Sequence, residues 1–238
     1  MKKKNRILIF PLMLMGVALI FTSSCKKDSN DVTPGPGPGV TVTDYDGNVY
    51  HTVNIQGQIW MVENLKSTHY NDGTGAEITN MTDNAAWGSL TTPAYCWYNN
   101  EESCKATYGA LYNWYAANDS RLPPSGWHVP SIGEWNTLIN NLGGDSTVVG
   151  GRLKEAGTTH WVSPNTGADN SSGFTALPGG SHYTNGAFYF NGKYGWYWSK
   201  TESSATEAWH PYLVYNSSTI TRLPGNKSIG FSVRCIKN

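Results

Sequence analysis

Apolar positions repeat with helical spacing after Ser131, near the middle of the chain. Residues 132, 135, 138, 139 and 142 are all apolar, which places them on one face of a 3.6-residue helix. Ser131 and Glu134 have the spacing of a capping box, in which each side chain accepts from the backbone amide of the other. Gly143 and Gly144 supply a left-handed end. The pattern predicts a helix that begins at Ile132.

Shorter alternating runs predict strands on the N-terminal side of this helix. Residues 41–65 alternate around two turn pairs, at 46–47 and 56–57, which is typical of an antiparallel meander. Residues 94–97 form an aromatic strand candidate. Residues 127–129 precede a proline and are predicted to be a short extended segment that leads into the helix.

Three other segments complete the predicted order of elements. Residues 66–93 are polar and are predicted to be mostly loop. Residues 108–117 are predicted to be a second helix with aromatic residues facing inward. The alternation over residues 230–237 predicts a last strand, with its apolar residues inward and with Ser232 and Arg234 outward.

Residues 1–24 have the layout of a secretory signal peptide. Four basic residues precede the fifteen largely apolar residues 7–21. This apolar segment is shorter than the roughly 20 residues that a transmembrane helix needs. Cys25 then stands where a bacterial lipobox has its lipidated cysteine, with Thr22 in place of the usual leucine, a looseness typical of Bacteroidetes-like lipoproteins. Residues 25–39 are expected to be the lipidated cysteine and a Pro/Gly tether. The alternative is an ordinary signal with a chance cysteine.

Composition and charge narrow the function classes. Residues 40–238 suffice for one domain, and 14% charged residues with 10 Trp, 14 Tyr and 26 Gly are typical of a loop-rich extracytoplasmic domain. The chain has 17 basic and 17 acidic residues; without residues 1–24 it has 13 and 17, a net charge of −4. We therefore expect no nucleic-acid partner, and membrane contact only through the lipid anchor.

Eight motifs occur in an order that resembles a known family. They are DYDGNVYHTVNIQGQIWMVENL, YCWYNN, YGALYNWYAA, GWHVPSIGEW, LKEAG, GFTALPGG, WYWSKTE and GFSVRCIKN, and they cover nearly all of residues 42–238. The chain resembles the Fibrobacter succinogenes major paralogous domain of lipoproteins and surface proteins. The resemblance implies an α+β, C-type-lectin-like fold related distantly to sulfatase-modifying factors, with two helices packed on small twisted antiparallel sheets and long loops. It implies no particular activity.

The cysteines are interpreted through the same resemblance. If Cys25 is acylated, three cysteines remain, an odd number for an oxidising compartment. Relatives look as if they pair Cys96 with Cys104, and such a disulfide would contribute roughly 2–3 kcal/mol. Relatives also carry a cysteine before the GWHVP motif that this chain lacks. Cys235 is therefore expected to be buried and inert.

The sequence offers no set of catalytic residues. The sulfatase-modifying enzymes bind copper with two nearby thiols, and the C-terminal region has Cys235 alone. No histidines stand at i and i+4, and no Gly-x-Ser-x-Gly elbow or phosphate loop occurs. Ser181 and His182 are adjacent, so their side chains point opposite ways on a strand. We expect no enzyme, while a zinc site assembled from separate loops stays open.

Aromatic residues among Asn, Ser and Gly in the second half suit a sugar ligand. Flat rings cover the apolar face of a pyranose, and amides and hydroxyls meet its hydroxyl groups. About two-thirds of these rings are expected to be core packing. Those expected at the surface, as ligand-binding candidates, are Tyr183, Tyr197, Trp209 and Tyr212.

A loop after residue 160 offers oxygen atoms to a cation. Asn165, Asp169 and Asn170 are weak calcium candidates, and turn formation is the alternative that such residues in a Gly-rich loop favour. The motif pair of a C-type-lectin calcium site is not present, so no cofactor is expected.

The resulting hypothesis is a lipoprotein of the cell envelope, in the outer membrane of a Bacteroidetes-like bacterium. Its folded domain would be a non-catalytic binding module for a glycan or a surface protein. One alternative is a structural or assembly component of the envelope or of surface fibres. The remote alternative is an enzyme similar to sulfatase-modifying factors without the copper thiol pair.

Overall fold

The computed structural model describes residues 40–238. The expected signal peptide of residues 1–24, the lipidated Cys25 and the tether of residues 25–39 lie outside the described residues. The described chain has an α+β fold of short helices and small, mainly antiparallel sheets, which confirms the coarser part of the predicted fold class. No helix within the described range is long and apolar enough to cross a membrane.

The helices and strands alternate irregularly along the chain. The helices are α1 (Asn84–Trp87), α2 (Lys105–Tyr108), α3 (Trp114–Ala117), α4 (Ile132–Asn141) and α5 (Ser146–Leu153). The first strands are β1 (Val42–Thr43), β2 (Val49–Tyr50), β3 (Thr52–Ile55), β4 (Gln58–Met61), β5 (Thr79–Asn80), β6 (Ala94–Cys96) and β7 (Leu111–Tyr112). The remaining strands are β8 (Trp127–His128), β9 (Ser181–His182), β10 (Phe188–Tyr189), β11 (Tyr194–Trp196), β12 (Glu207–Val214), β13 (Ile220–Asn226) and β14 (Ile236–Lys237).

The largest sheet joins the two ends of the domain. Its order is β3-β4-β14-β8, so the last strand lies inside the sheet and not at its edge. Ile236 of β14 pairs with Trp60 of β4 on one side and with His128 of β8 on the other. Two further sheets have the orders β11-β12-β13 and β5-β6-β7, and β1-β2 and β9-β10 form two-stranded pairs.

Helix α4 begins at the residue that the capping box predicts. Ser131 Oγ accepts from the Glu134 amide at 3.2 Å, and Glu134 Oε2 accepts from the Ser131 amide at 2.7 Å. Trp135 on its apolar face is buried, with its ring 4.9 Å from the ring of Trp60. The helix therefore packs its apolar face against the largest sheet.

The predicted helix over residues 108–117 is interrupted by a strand. Helix α2 ends at Tyr108, and Gly109 has a φ of 71°. A Cβ at that position would come within 2.7 Å of a backbone carbonyl oxygen. Leu111–Tyr112 then pair with β6, and Asn113 caps α3 by accepting from the Ala116 amide. Pairing with other parts of the chain outweighs the helix propensity of this segment.

Of the predicted strand over residues 230–237, only Ile236–Lys237 form β14, and the residues before it are buried, in contrast to the expected outward positions of Ser232 and Arg234. These residues are 1% and 0% exposed. The Arg234 guanidinium donates to Asn64 Oδ1 at 2.7 Å and to the carbonyls of Met61 and Phe174 at 3.1 and 2.6 Å. Burial lowers its pKa, yet these acceptors satisfy the charged group. Arg234 thus joins segments that are far apart in sequence.

Candidate ligand-binding surface

Five aromatic side chains form a row on the surface of the C-terminal half. Successive ring centroids lie 5.7, 5.6, 5.0 and 6.2 Å apart. We call this row the aromatic strip; its members in order are Tyr183, Tyr189, Phe190, Tyr194 and Tyr212. Tyr183 and Phe190 are 41% and 47% exposed, and the other three are half-buried. The strip is thus an accessible aromatic surface.

Trp196 supports the aromatic strip from the core side. Its ring stacks on Tyr194 at 4.7 Å and, toward the interior, on Phe231 at 5.7 Å. Tyr194 and Trp196 share one face of β11 because they are two residues apart. Tyr212 of β12 pairs directly with Trp196. The register of these two strands therefore places the three rings together.

His182 anchors the hairpin β9–β10, which supplies one end of the strip. Its ring is stacked between Trp87 at 4.3 Å and Phe188 at 4.0 Å. Nδ1 lies 3.3 Å from Cys96 Sγ, and Nε2 lies 3.2 Å from the Gly186 carbonyl oxygen. Burial lowers the pKa of His182 to about 4, so the ring is neutral at neutral pH.

Phe190 has an unusual backbone conformation for a large side chain. Its φ of 62° lies in the left-handed region, which costs an L-residue roughly 1–2 kcal/mol. The Phe190 carbonyl accepts from the amides of Lys193 and Tyr194, which closes the turn between β10 and β11. The ring is directed outward against Tyr189 and Tyr194. A strained backbone that exposes an aromatic ring is a reason to examine this position for function.

Two of the four predicted ligand contacts belong to the aromatic strip. These are Tyr183 and Tyr212. Trp209 is half-buried and lies three residues from Tyr212, on the opposite face of β12. Tyr197 is 1% exposed and its hydroxyl donates to the Leu177 carbonyl at 3.2 Å. The prediction that Tyr197 faces a ligand is corrected: it is a core residue, because its ring packs against the buried rings of Trp135 and Phe174.

Sequence reasoning missed three members of the strip. Tyr189, Phe190 and Tyr194 flank the Asn-Gly turn at residues 191–192, a dipeptide that favours tight hairpins. A turn at this point brings the aromatic residues on its two sides together. The turn dipeptide was therefore the available signal for this part of the surface.

The family of the chain follows from a comparison with family models. The model described as the Fibrobacter succinogenes major domain matches residues 53–237. The chain belongs to this family. The matched range starts within β3 and ends within β14, so it contains every strand that supplies the aromatic strip. Comparison with curated proteins and with solved structures gave no significant match.

The three calcium candidates of this family member make turn contacts. Asn165 donates to two backbone carbonyls of the preceding loop, at 2.9 and 2.6 Å. Asp169 accepts from the amide two residues ahead, and Asn170 accepts from the Thr175 amide, both at 2.9 Å. Asp169 and Asn170 thus use their side-chain oxygens in these turns, whereas Asn165 Oδ1 is buried without a hydrogen-bond partner among the described residues. Within residues 40–238, no three His, Cys, Asp or Glu side chains form a group that could hold a metal ion.

The thiols of the domain are in apolar surroundings. The expected Cys96–Cys104 disulfide is not formed, because Cys96 is a free, buried thiol directed toward His182. Burial raises the pKa of Cys96 well above its usual range, and the same cause raises the pKa of the buried Cys235. The Cys96–His182 contact is therefore a contact of two neutral groups, not an activated thiolate. Cys235 is buried, as expected.

The partly exposed histidines contact carboxylates. The pairs are His51–Glu63, His69–Asp46, His128–Glu134 and His160–Glu155. In the third pair the carboxylate also forms the capping box of α4, so it has a structural task. Hydroxyl groups lie beside two of these pairs: Thr68 Oγ1 is 3.1 Å from His69 Nδ1, and Ser131 Oγ donates to Glu134 Oε2 at 2.8 Å.

Proposed function

We propose that this member of the Fibrobacter succinogenes major domain family is a non-catalytic binding module of the cell envelope. Its ligand, a glycan or a surface protein, would lie on the aromatic strip. The observation that carries the proposal is the row of five rings in mutual contact with two of them more than 40% exposed. Large aromatic surfaces kept accessible to solvent are typical of recognition sites.

The proposal includes the attachment and location of the protein. A lipid on Cys25 would hold the domain at the outer membrane of a Bacteroidetes-like bacterium, and residues 25–39 would keep it away from the bilayer. The support is the charged, apolar and small-residue order of residues 1–24 followed by cysteine. Metabolic labelling with a palmitate analogue tests it: label on the wild type and none on Cys25→Ser is the expected result.

We also propose a C-type-lectin-like arrangement for the fold. Two longer helices, α4 and α5, stand beside small antiparallel sheets, and long loops connect them. An experimental structure of the domain, compared with C-type-lectin-like folds, tests this part. A different order of strands in the largest sheet would contradict it.

The test of binding is a glycan-array screen of the full chain in mild detergent, with calcium and again with EDTA. The matched variants are Tyr183→Ala with Tyr212→Ala in one chain, and Tyr45→Ala, which removes an exposed tyrosine outside the strip. The expected result is a reproducible signal that the double variant loses and the control keeps. A blank from correctly folded wild type would move the assignment to a surface-protein ligand or to a component of envelope assembly.

A further inference from the structure

We infer that the aromatic strip binds an uncharged polysaccharide chain along its length. This inference rests on the proposed binding function and adds the chemical class of the ligand. The strip is a row, with each ring in contact with the next over five members. Neighbouring rings from Tyr189 to Tyr212 are inclined by 32–47°, and Tyr183 stands edge-on to Tyr189 at 89°. Five such rings offer faces and edges to several successive sugar units, whereas a single small ligand would use one or two rings.

The charge of the surrounding segments favours a neutral ligand. Residues 170–200 and 208–226, which supply all five rings, contain no Asp or Glu. Their cations are Lys193, Lys200 and Arg222, and Arg222 donates to an asparagine side chain of α4. One or two separate lysines do not form the cluster that a polyanion requires, and a cationic ligand would find no carboxylate in these segments.

The polar groups of the strip suit hydroxyl groups of sugars. Tyr183, Tyr194 and Tyr212 each bring a phenol hydroxyl, which both donates and accepts. Tyr189 accepts from Asn185 Nδ2 at 2.8 Å, which holds its ring in place. The surface thus combines apolar rings with neutral hydrogen-bonding groups. A pyranose has a matching combination of an apolar face and hydroxyl groups.

Phe190 offers the most exposed ring of the strip to this ligand. Its ring has no polar atom, and it lies between Tyr189 and Tyr194 in the row. The left-handed backbone lifts it into solvent at 47% exposure. A ring held outward at a cost to backbone energy is explained if a ligand covers it.

The inference is tested by affinity electrophoresis and pull-down of the full chain in mild detergent. The neutral probes are xylan, mannan and cellulose; the acidic probes are polygalacturonate, alginate and a sulfated glucan. The variants are Phe190→Gly, which suits the left-handed backbone, and Tyr194→Ser, with Tyr45→Ala as control. Near-ultraviolet circular dichroism establishes that each variant is folded.

The expected result is retention by at least one neutral polysaccharide. EDTA should not change this retention, and neither should about 0.5 M salt, which screens the attraction between exposed charges. Phe190→Gly and Tyr194→Ser should each weaken it about tenfold, and Tyr45→Ala less than about twofold. Retention by acidic probes alone, lost in salt and in the strip variants, overturns the inference and leaves the binding function standing. No retention of folded wild type overturns the inference and the glycan form of the proposed function, and leaves a surface protein as the ligand to test. Retention that the strip variants do not change overturns both the inference and the strip as the binding site.

Discussion

Acidification should destabilise the domain through His210, a residue on the core side of the aromatic strip. The ring is 6% exposed and packs on Phe231 at 4.7 Å, and its Nδ1 atom has no hydrogen-bond partner among the described residues. Burial lowers the pKa of His210 from 6.5 to about 4. The folded state therefore resists a proton that the unfolded chain accepts. The stabilising contribution is complete above pH 6.5 and is lost as the pH falls toward 4.

The magnitude follows from this difference in pKa. When the pH is lowered from about 7.5 to about 5.0, the unfolding free energy should fall by about 2 kcal/mol, because His210 stays neutral in the folded state while it binds a proton in the unfolded chain. Urea denaturation of wild type and His210→Gln at both pH values measures it. The variant should lose about 2 kcal/mol less than wild type over the interval. Its absolute stability is not the readout, because glutamine fills the site less well.

The control is His51→Gln, which removes a histidine whose side chain is 45% exposed. Carboxylates that titrate in the same interval are present in all three proteins, so they cancel in the comparison. Equal losses of stability in wild type and His210→Gln would refute the reasoning. That outcome would mean that His210 gains its proton in the folded state with little cost.

Three further predictions concern buried groups. Arg234→Lys should lower the unfolding free energy by about 3–5 kcal/mol in urea denaturation, because an ammonium cannot replace the fork that reaches several acceptors; a loss below about 1 kcal/mol would contradict this. In the same assay, Asn113→Ala should lower the unfolding free energy by roughly 2–4 kcal/mol, because Asn113 is buried and also accepts from an amide of β6. Asp145→Ala, which removes an exposed helix cap, should lower it by about 1 kcal/mol. Cys96 and Cys235 should react with a thiol reagent only after unfolding, and rapid labelling of native protein would disprove their burial.

Local patterns were sufficient for the elements whose signals lie within a few residues. The capping box at Ser131 and Glu134 defined the start of α4, and residues 94–96 form the strand that their aromatic character indicated. Such elements depend on short-range contacts that the sequence displays directly. The mostly loop region of residues 66–93 also holds the short β5 and α1, whose pairing and capping extend over too few residues to give a period.

Elements defined by distant partners were not predictable in this way. Residues 108–117 include good helix formers, but Tyr112 pairs with β6 and forms an isolated antiparallel bridge with Phe231. Arg234 was expected outside because it alternates with the apolar residues of the segment 230–237. Its acceptors, Asn64 and two distant carbonyls, cannot be identified from one sequence. Only the folded chain shows that this cation is satisfied.

The candidate site was half predictable for a similar reason. Aromatic residues lie on both sides of this segment: Tyr194 and Trp196 share one face of β11, and Tyr197, which directly follows β11, lies on the other side. Alternation shows that these faces differ, but not which of them lies near solvent. Helices α4 and α5 cover the sheet β11-β12-β13 on the side of Tyr197. This is a tertiary contact, which alternation along one strand does not reveal.

The central position of β14 has a consequence for the synthesis of the protein. While the ribosome is still adding residues before 231, β4 and β8 have been made but lack the strand that separates them. A nascent or clipped chain of that kind would expose two unpaired strand edges and an empty space where Val233 and Arg234 belong. Such a chain would be prone to aggregate and would be a substrate for chaperones and proteases. Residues 231–237 therefore complete the sheet: without them, β4 and β8 have no strand between them.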